Sequence, residues 1–231
     1  MTPSTFVRSA LAVAALSWGL GASAASLTEG FDSMVPAGWT AINNSVPLGT
    51  IGWFQGNDAV FPSFEGASNS YAGVNFNSGA SVAALSNWLI TPTLSFNNGD
   101  VVSFYTRTSA GSSYPDRLEL RFSNVGGTDV GSTATSVGTF TTLLLTVNPT
   151  LDPGGYPESW TQFSATISGL SGPTSGSVAL RYFVSNGGPF GDNSNYIGVD
   201  SFSITPVPEP STYLLMGLGL AAVALRRAKA A

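Results

Sequence analysis

The chain has neither cysteine nor histidine in its 231 residues. Without cysteine there is no disulfide framework and no thiol nucleophile. Without histidine there is no Ser-His-Asp triad, no Cys-His pair and no His-ligated catalytic zinc. Lysine is missing from Ser26 to Pro206, where Arg107, Arg117, Arg121 and Arg181 face twelve acidic residues, a net charge of −8. Such a surface repels nucleic acid and anionic lipid and tolerates divalent cations. Charged residues make up 9% of the chain, against about 25% in an average domain. Aromatic residues make up 11%, more than a disordered chain carries, so the composition reads as a folded domain with a polar, small-residue surface.

Both ends read as addresses. Arg8 precedes an apolar stretch from Ala10 to Leu20, and Ala22-Ser23-Ala24 supplies a small-x-small cleavage pattern. This design predicts a signal peptide over residues 1–24, cut after Ala24. At the other end, Val207-Pro208-Glu209-Pro210 is a rigid breaker. The apolar run Tyr213–Leu225 and the basic cluster Arg226-Arg227-Ala228-Lys229 follow. An apolar helix with a basic flank stops in the membrane with its C-terminus inside. Thirteen residues cover only about 20 Å of a roughly 30 Å core, which suits a transient hold. This tripartite ending over 207–231 resembles the PEP-CTERM sorting signal. The resemblance implies recognition by an exosortase at Pro208, Glu209 and Pro210, with Arg226 and Arg227 as the basic end. It also implies a Gram-negative source: brief inner-membrane insertion, removal of the tail, and delivery to the cell surface, outer envelope or extracellular matrix. A plain membrane anchor that is never cut is the competing reading.

Residues 25–206 form one unit, with no internal repeat and no linker long enough to divide it. They show no helical period over three turns. Short β-branched and aromatic runs recur between Gly, Asn, Ser and Pro clusters. In Arg117–Ser123, Leu118, Leu120 and Phe122 alternate with Arg117, Glu119 and Arg121, which predicts a half-buried strand with a charged outer face. Val178, Leu180, Tyr182 and Val184 repeat the pattern around Arg181. Further strands are expected at 101–106, 141–147 and 160–167, and long loops at 128–139, 148–157 and 186–195. In Tyr196–Ile204, Ile197 and Val199 lie on one phase and Phe202 and Ile204 on the other. Either a bulge near Asp200-Ser201 restores the phase, or the two halves cover different faces.

Trp39 after Pro36-Ala37-Gly38, Trp53-Phe54-Gln55-Gly56, Asn87-Trp88-Leu89-Ile90-Thr91-Pro92 and Tyr196–Phe202 fall in the order of choice-of-anchor J domains. The resemblance runs from Leu27 to Ile204 and extends to the cleaved-adhesin and MAM-like jelly rolls. It implies an all-β jelly-roll β-sandwich with no established enzymatic role, here followed by a single C-terminal transmembrane helix. The short strands and turns point to the same class.

Three kinds of site remain. The resemblance implies structural calcium joining the first and last strands, with Glu29, Asp32 and Asp200 as ligands and Asn57, Asp58 and Asn75 as additional oxygens. The alternative for these acids is that Asp32 caps a turn and Asp200 accepts N–H bonds at a strand edge. Glycan binding, to exopolysaccharide or surface glycans, draws on loop aromatics Trp53, Phe54, Phe61, Phe64, Tyr114, Tyr156 and Phe190, with Asn186–Asn195, including Asp192 and Asn193, as a polar rim. Trp39, Trp88 and Trp160 are assigned to the core. Carboxylate-based polysaccharide chemistry would use Asp116 with Glu119, or Asp152 with Glu158. No motif marks either pair, and the reading here is a non-enzymatic adhesion or matrix module.

Overall fold

The computed structural model describes residues 26–207, 217–220 and 228. Thirteen strands appear in chain order: β1 (Leu27–Glu29), β2 (Thr40–Asn43), β3 (Val46–Leu48), β4 (Phe54–Gln55), β5 (Ala72–Asn75), β6 (Gly79–Ile90), β7 (Leu94–Phe96), β8 (Val101–Thr108), β9 (Leu118–Ser123), β10 (Thr142–Val147), β11 (Thr161–Thr166), β12 (Thr174–Gly187) and β13 (Tyr196–Thr205). They form two antiparallel sheets packed face to face. The first has the order β11-β8-β13-β5-β4, with β1 also on β13; the second runs β10-β9-β12-β6-β2, with β3 on β6 and β7 on β12. The expected β-sandwich is therefore present. The sequence pattern understates β6, because Gly79, Ala80, Ala83 and Ala84 weaken its signal.

The bulge expected near Asp200-Ser201 resolves the phase problem in the last strand. Asp200 pairs with Tyr105 and Ser203 with Ser103, so β13 holds one residue more than β8 across this step. Ser201 adopts a left-handed φ of 46°. With the extra residue absorbed, Ile197, Val199, Phe202 and Ile204 all enter one core. The other phase, Tyr196, Gly198 and Asp200, points outward. Gly198 pairs with Gly73, and a Cβ at Gly198 would stand within 3 Å of Phe61, Tyr71 and Trp160. The missing side chain lets these aromatics lie directly on the strand.

Both outer faces are partly covered, which alternation along single strands does not reveal. On the first sheet Phe61, Tyr71 and Tyr196 form a small cluster with Phe54 and Trp160. Trp160 is thus corrected from core to a half-buried position outside the sheet, where its Nε1 donates to Pro62 O at 2.9 Å. On the second sheet the 124–141 connection folds over the strands, and Val130 and Phe140 pack on Trp88, Ile90 and Ala179. Trp88 is buried beneath this loop, while Trp39 lies in the central core.

The same loop overturns the expectation of a solvated charged face on β9. Arg181 is 1% exposed. Its guanidinium lies 3.7 Å from the Phe183 ring centre and 4.7 Å from that of Trp88. It donates to Glu119 Oε2 at 3.2 Å, Ser86 Oγ at 3.1 Å and Ala134 O at 2.6 Å. Burial pulls its pKa down to about 10, against the opposing pull of Glu119, so it is a cation at neutral pH. Glu119 is shared with Arg121 at 2.7 Å. Removing one member of such a buried set strands the rest without compensation. Glu119→Gln is therefore expected to lower unfolding free energy by about 3 kcal/mol, read by urea denaturation, and to speed proteolysis within 129–140. A change within error in both would contradict this packing.

Candidate functional site

The site is set by the strand ends and three connections at one pole of the sandwich. β13 begins there, and the loops before it and before β9 close over its first residues. Ser194 N donates to Pro115 O at 2.9 Å, and Asn195 Nδ2 donates to Ser112 Oγ at 2.8 Å. The 188–195 loop is also braced within itself: Asn193 N reaches Asn186 O at 3.0 Å, Gly188 N reaches Ser194 Oγ at 3.0 Å, and Asn186 Nδ2 reaches Asp192 Oδ2 at 2.8 Å. On this fixed backbone Phe190 is 78% exposed and Tyr114 52% exposed.

Together with Phe76, Asp192 and Asn195 these aromatics line a depression of about 430 Å³. A second depression of about 380 Å³ is lined by Ile51, Phe54, Asn57, Val60, Asn75, Phe76, Ser109, Asn195 and Tyr196. Phe76 and Asn195 belong to both, so the two form one shallow trough. A braced loop that presents bare aromatic rings has already lost the freedom that binding would otherwise cost.

Asp116 holds the trough from below. It is fully buried; its Oδ1 accepts from Tyr182 Oη at 2.6 Å and from Asn195 N at 2.8 Å, and its Oδ2 lies 2.9 Å from Thr108 Oγ1. Thr108 Oγ1 also lies 2.9 Å from Tyr196 O. A hydroxyl has one proton, and a carbonyl only accepts. Thr108 therefore satisfies Tyr196 O only if Asp116 Oδ2 carries a proton and donates to Thr108. Burial agrees, pushing the Asp116 carboxyl up to about 6 against the hydrogen bonds from Tyr182, Asn195 and Thr108.

The other expected residues separate into distinct places. Trp53 is corrected: it is 6% exposed and belongs to the central core, so it presents no surface to a ligand. Phe61 and Tyr156 are likewise buried. Phe54 and Asp192 line the trough, while Asn193 uses its side chain to brace the loop through Ser185 O at 2.8 Å. Phe64 stands outside the trough, stacked on Tyr105 at 3.8 Å. Asn195, at the end of the expected polar rim, lines both depressions, whereas Asn75 and Phe76 are lining residues that loop composition does not point to. Asn75 was considered only as a metal ligand, and its side chain caps the short 3-10 helix Phe76–Ser78.

Glu29, Asp32 and Asp200 flank one loop, 64–66, but do not form a metal cage. Asp200 accepts from Phe64 N at 2.8 Å, Glu65 N at 3.1 Å and Ser201 N at 2.6 Å, and Glu29 Oε1 accepts from Phe31 N at 2.8 Å. Among the described residues no group of three or more acidic side chains is placed to hold a metal ion. Calcium needs six to eight oxygens, and the Glu29 and Asp200 carboxylates are engaged with backbone N–H groups. Asn57 and Asp58 make local bonds to Ala59 N and Ser68 Oγ.

The expected carboxylate pairs fare similarly. Asp116 points toward buried Tyr182 and Glu119 toward Arg181, on opposite faces of the second sheet. Asp152 bonds to Thr150 Oγ1 and Glu158 to Gly111 N.

Residues 206–228 match the PEP-CTERM protein-sorting motif. The expected motif residues Pro208, Glu209, Pro210, Arg226 and Arg227 lie outside the described residues, as do the signal peptide and most of the expected span. Among the described residues no helix is long and apolar enough to cross a membrane. No curated protein matches the chain.

Among solved structures, the chain is similar to three cleaved adhesin domains of the Lys-gingipain of Porphyromonas gingivalis. The K1 domain aligns with a TM-score of 0.57 at 23% identity, covering 80% of this chain and 99% of that one. The K3 domain gives 0.52 at 21%, covering 78% and 99%; K2 gives 0.52 at 18%, covering 79% and 99%.

The Asp116 geometry predicts a pH dependence. Its pKa is raised, so the folded state holds a proton that the unfolded chain releases near 3.8. That stability is complete below about pH 4 and is lost as pH rises through about 6. Asp116→Asn mimics the protonated form. It is expected to match the unsubstituted protein at pH 4 and to exceed it by about 2–3 kcal/mol at pH 8, measured by denaturant unfolding. A variant less stable at both pH values would contradict the buried proton. The chain is an exported protein with a C-terminal PEP-CTERM sorting motif on a β-sandwich of the cleaved-adhesin fold.

Proposed function

We propose that this protein is a non-catalytic adhesion module that binds exopolysaccharide or surface glycans through the trough. Its tail holds it briefly in the inner membrane, and an exosortase removes that tail on the way to the surface or matrix. The observation that carries this reading is the direction of β13. The strand starts at the trough with Tyr196 and ends at Thr205, beside the tail. Ten residues at about 3.3 Å each separate the two by roughly 30 Å. Val207 N bonds to Asp100 Oδ1 at 3.2 Å at the far pole. Leu27 pairs with Ile204, so the chain also enters there. The described ends of the domain, at Leu27 and Val207, both lie away from the exposed aromatics, which supports a trough that faces outward while the tail is held.

The test is recovery of the mature protein from the extracellular polysaccharide fraction, followed by C-terminal mass spectrometry. The expected product ends close to Pro208-Glu209-Pro210 and sediments with the polysaccharide. A product that retains Arg226-Arg227, or that stays wholly with the membrane, would contradict transient anchoring.

A further inference from the structure

If the trough is a glycan site, its charge defines which glycans it takes. We infer that it accepts an uncharged polysaccharide strand and rejects uronate-, sulfate- or phosphate-bearing chains. Within 26–206 the only positive side chains are four arginines, and each is committed elsewhere. Arg107 lies 4.5 Å over Phe61 and donates to Thr108 O and Glu158 O. Arg117 lies 4.5 Å over Phe183 and donates to Phe183 O and Pro149 O. Arg121 and Arg181 share Glu119 beneath the 124–141 loop. None of them lines the trough.

The one charged residue that does line it is Asp192, a carboxylate. A polyanion would meet this charge with no cation to pair with, inside the field of a domain at −8. Like-charge juxtaposition of this kind is a means of discrimination, worth as much as any attractive contact. The attractive groups that remain suit a neutral sugar. Tyr114 and Phe190 offer flat faces to the C–H side of a pyranose ring. Asn75 Oδ1 caps Phe76–Ser78 and Asn195 Nδ2 holds Ser112, which leaves the Asn75 amide N–H groups as donors and Asn195 Oδ1 as an acceptor for hydroxyl groups. The continuity of the two depressions through Phe76 and Asn195 fits a strand lying across the pole rather than a single sugar in a closed pocket.

The experiment is affinity electrophoresis of the mature protein through gels containing neutral polymers (dextran, mixed-linkage β-glucan, galactomannan) or acidic ones (alginate, polygalacturonate). Retention by at least one neutral polymer is expected, unchanged when salt is raised, with none by the acidic ones at low salt, where repulsion is unscreened. Tyr114→Ala and Phe190→Ala, both surface changes, are each expected to weaken retention about tenfold while circular dichroism is unchanged. Retention by acidic polymers, whether direct or only with added calcium, would overturn the inference of neutrality. Neutral retention that both variants leave intact would move the site elsewhere and overturn its assignment to the trough. No retention by either set would instead count against the glycan reading on which this inference rests.

Discussion

One extra residue in β13 sets the geometry on which the domain depends. Without the bulge at Ser201, the pleat would turn Phe202 and Ile204 outward and place Ser201 and Ser203 in the core. With it, a ten-residue strand buries apolar side chains along its whole length and still pairs with β8 on one edge and with β5 and β1 in tandem on the other. The left-handed φ of a non-glycine residue is uncommon, and here its surroundings hold it in place. Asp200, at the bulge, accepts three backbone N–H groups and ties the 64–65 loop to the strand. That carboxylate gives the bulge a structural role. Since β13 also runs from trough to tail, the same strand fixes the orientation in which the domain is displayed.

Five of the sixteen charged residues between 26 and 206 are buried: Asp100, Asp116, Glu119, Arg181 and Asp200. Arg181 and Glu119 are buried under a Gly/Ser/Thr-rich loop, and Asp116 is buried under the trough. Each is an expensive group to desolvate, and each is held by a network that reaches into a loop: Ala134 O for Arg181, Asn195 N for Asp116. Loops rich in small polar residues have little apolar surface with which to dock. A buried ionisable group with fixed donors or acceptors, whether ionised as Arg181 is or able to hold a proton as Asp116 is, supplies the directional attachment they lack. This explains how a chain with so few charged residues keeps long connections ordered.

The sandwich and its bulge were legible because period-2 alternation and its break are local signals. Ile197, Val199, Phe202 and Ile204 announce the slip by their spacing alone. What lay beyond the sequence was the third layer on each sheet. Arg181 alternates as an outward residue should, and nothing local shows that Val130 and Phe140 return to cover it. Trp53 misled for the opposite reason: a tryptophan among Gly, Asn and Gln looks like a loop aromatic, yet it turns into the core. Within the trough, Tyr114, Phe190 and Asp192 could be named from loop composition. Asn195 was the end of the expected polar rim, while Phe76 joins them only through the pairing of β5 with β13. The sorting motif was legible, since its Pro-Glu-Pro, apolar run and basic end are contiguous in the sequence.

The central claim is that ligand meets this protein at the pole opposite its tail. Amide chemical-shift mapping of the mature, isotope-labelled protein during titration with a neutral polysaccharide that it retains tests this most directly. The account predicts shifts confined to residues 109–116, 186–196, 51–60 and 75–77, with β1 and the 98–101 turn beside the tail unchanged. Shifts centred on Glu29, Glu65 and Ser201, or at the tail pole, would contradict it.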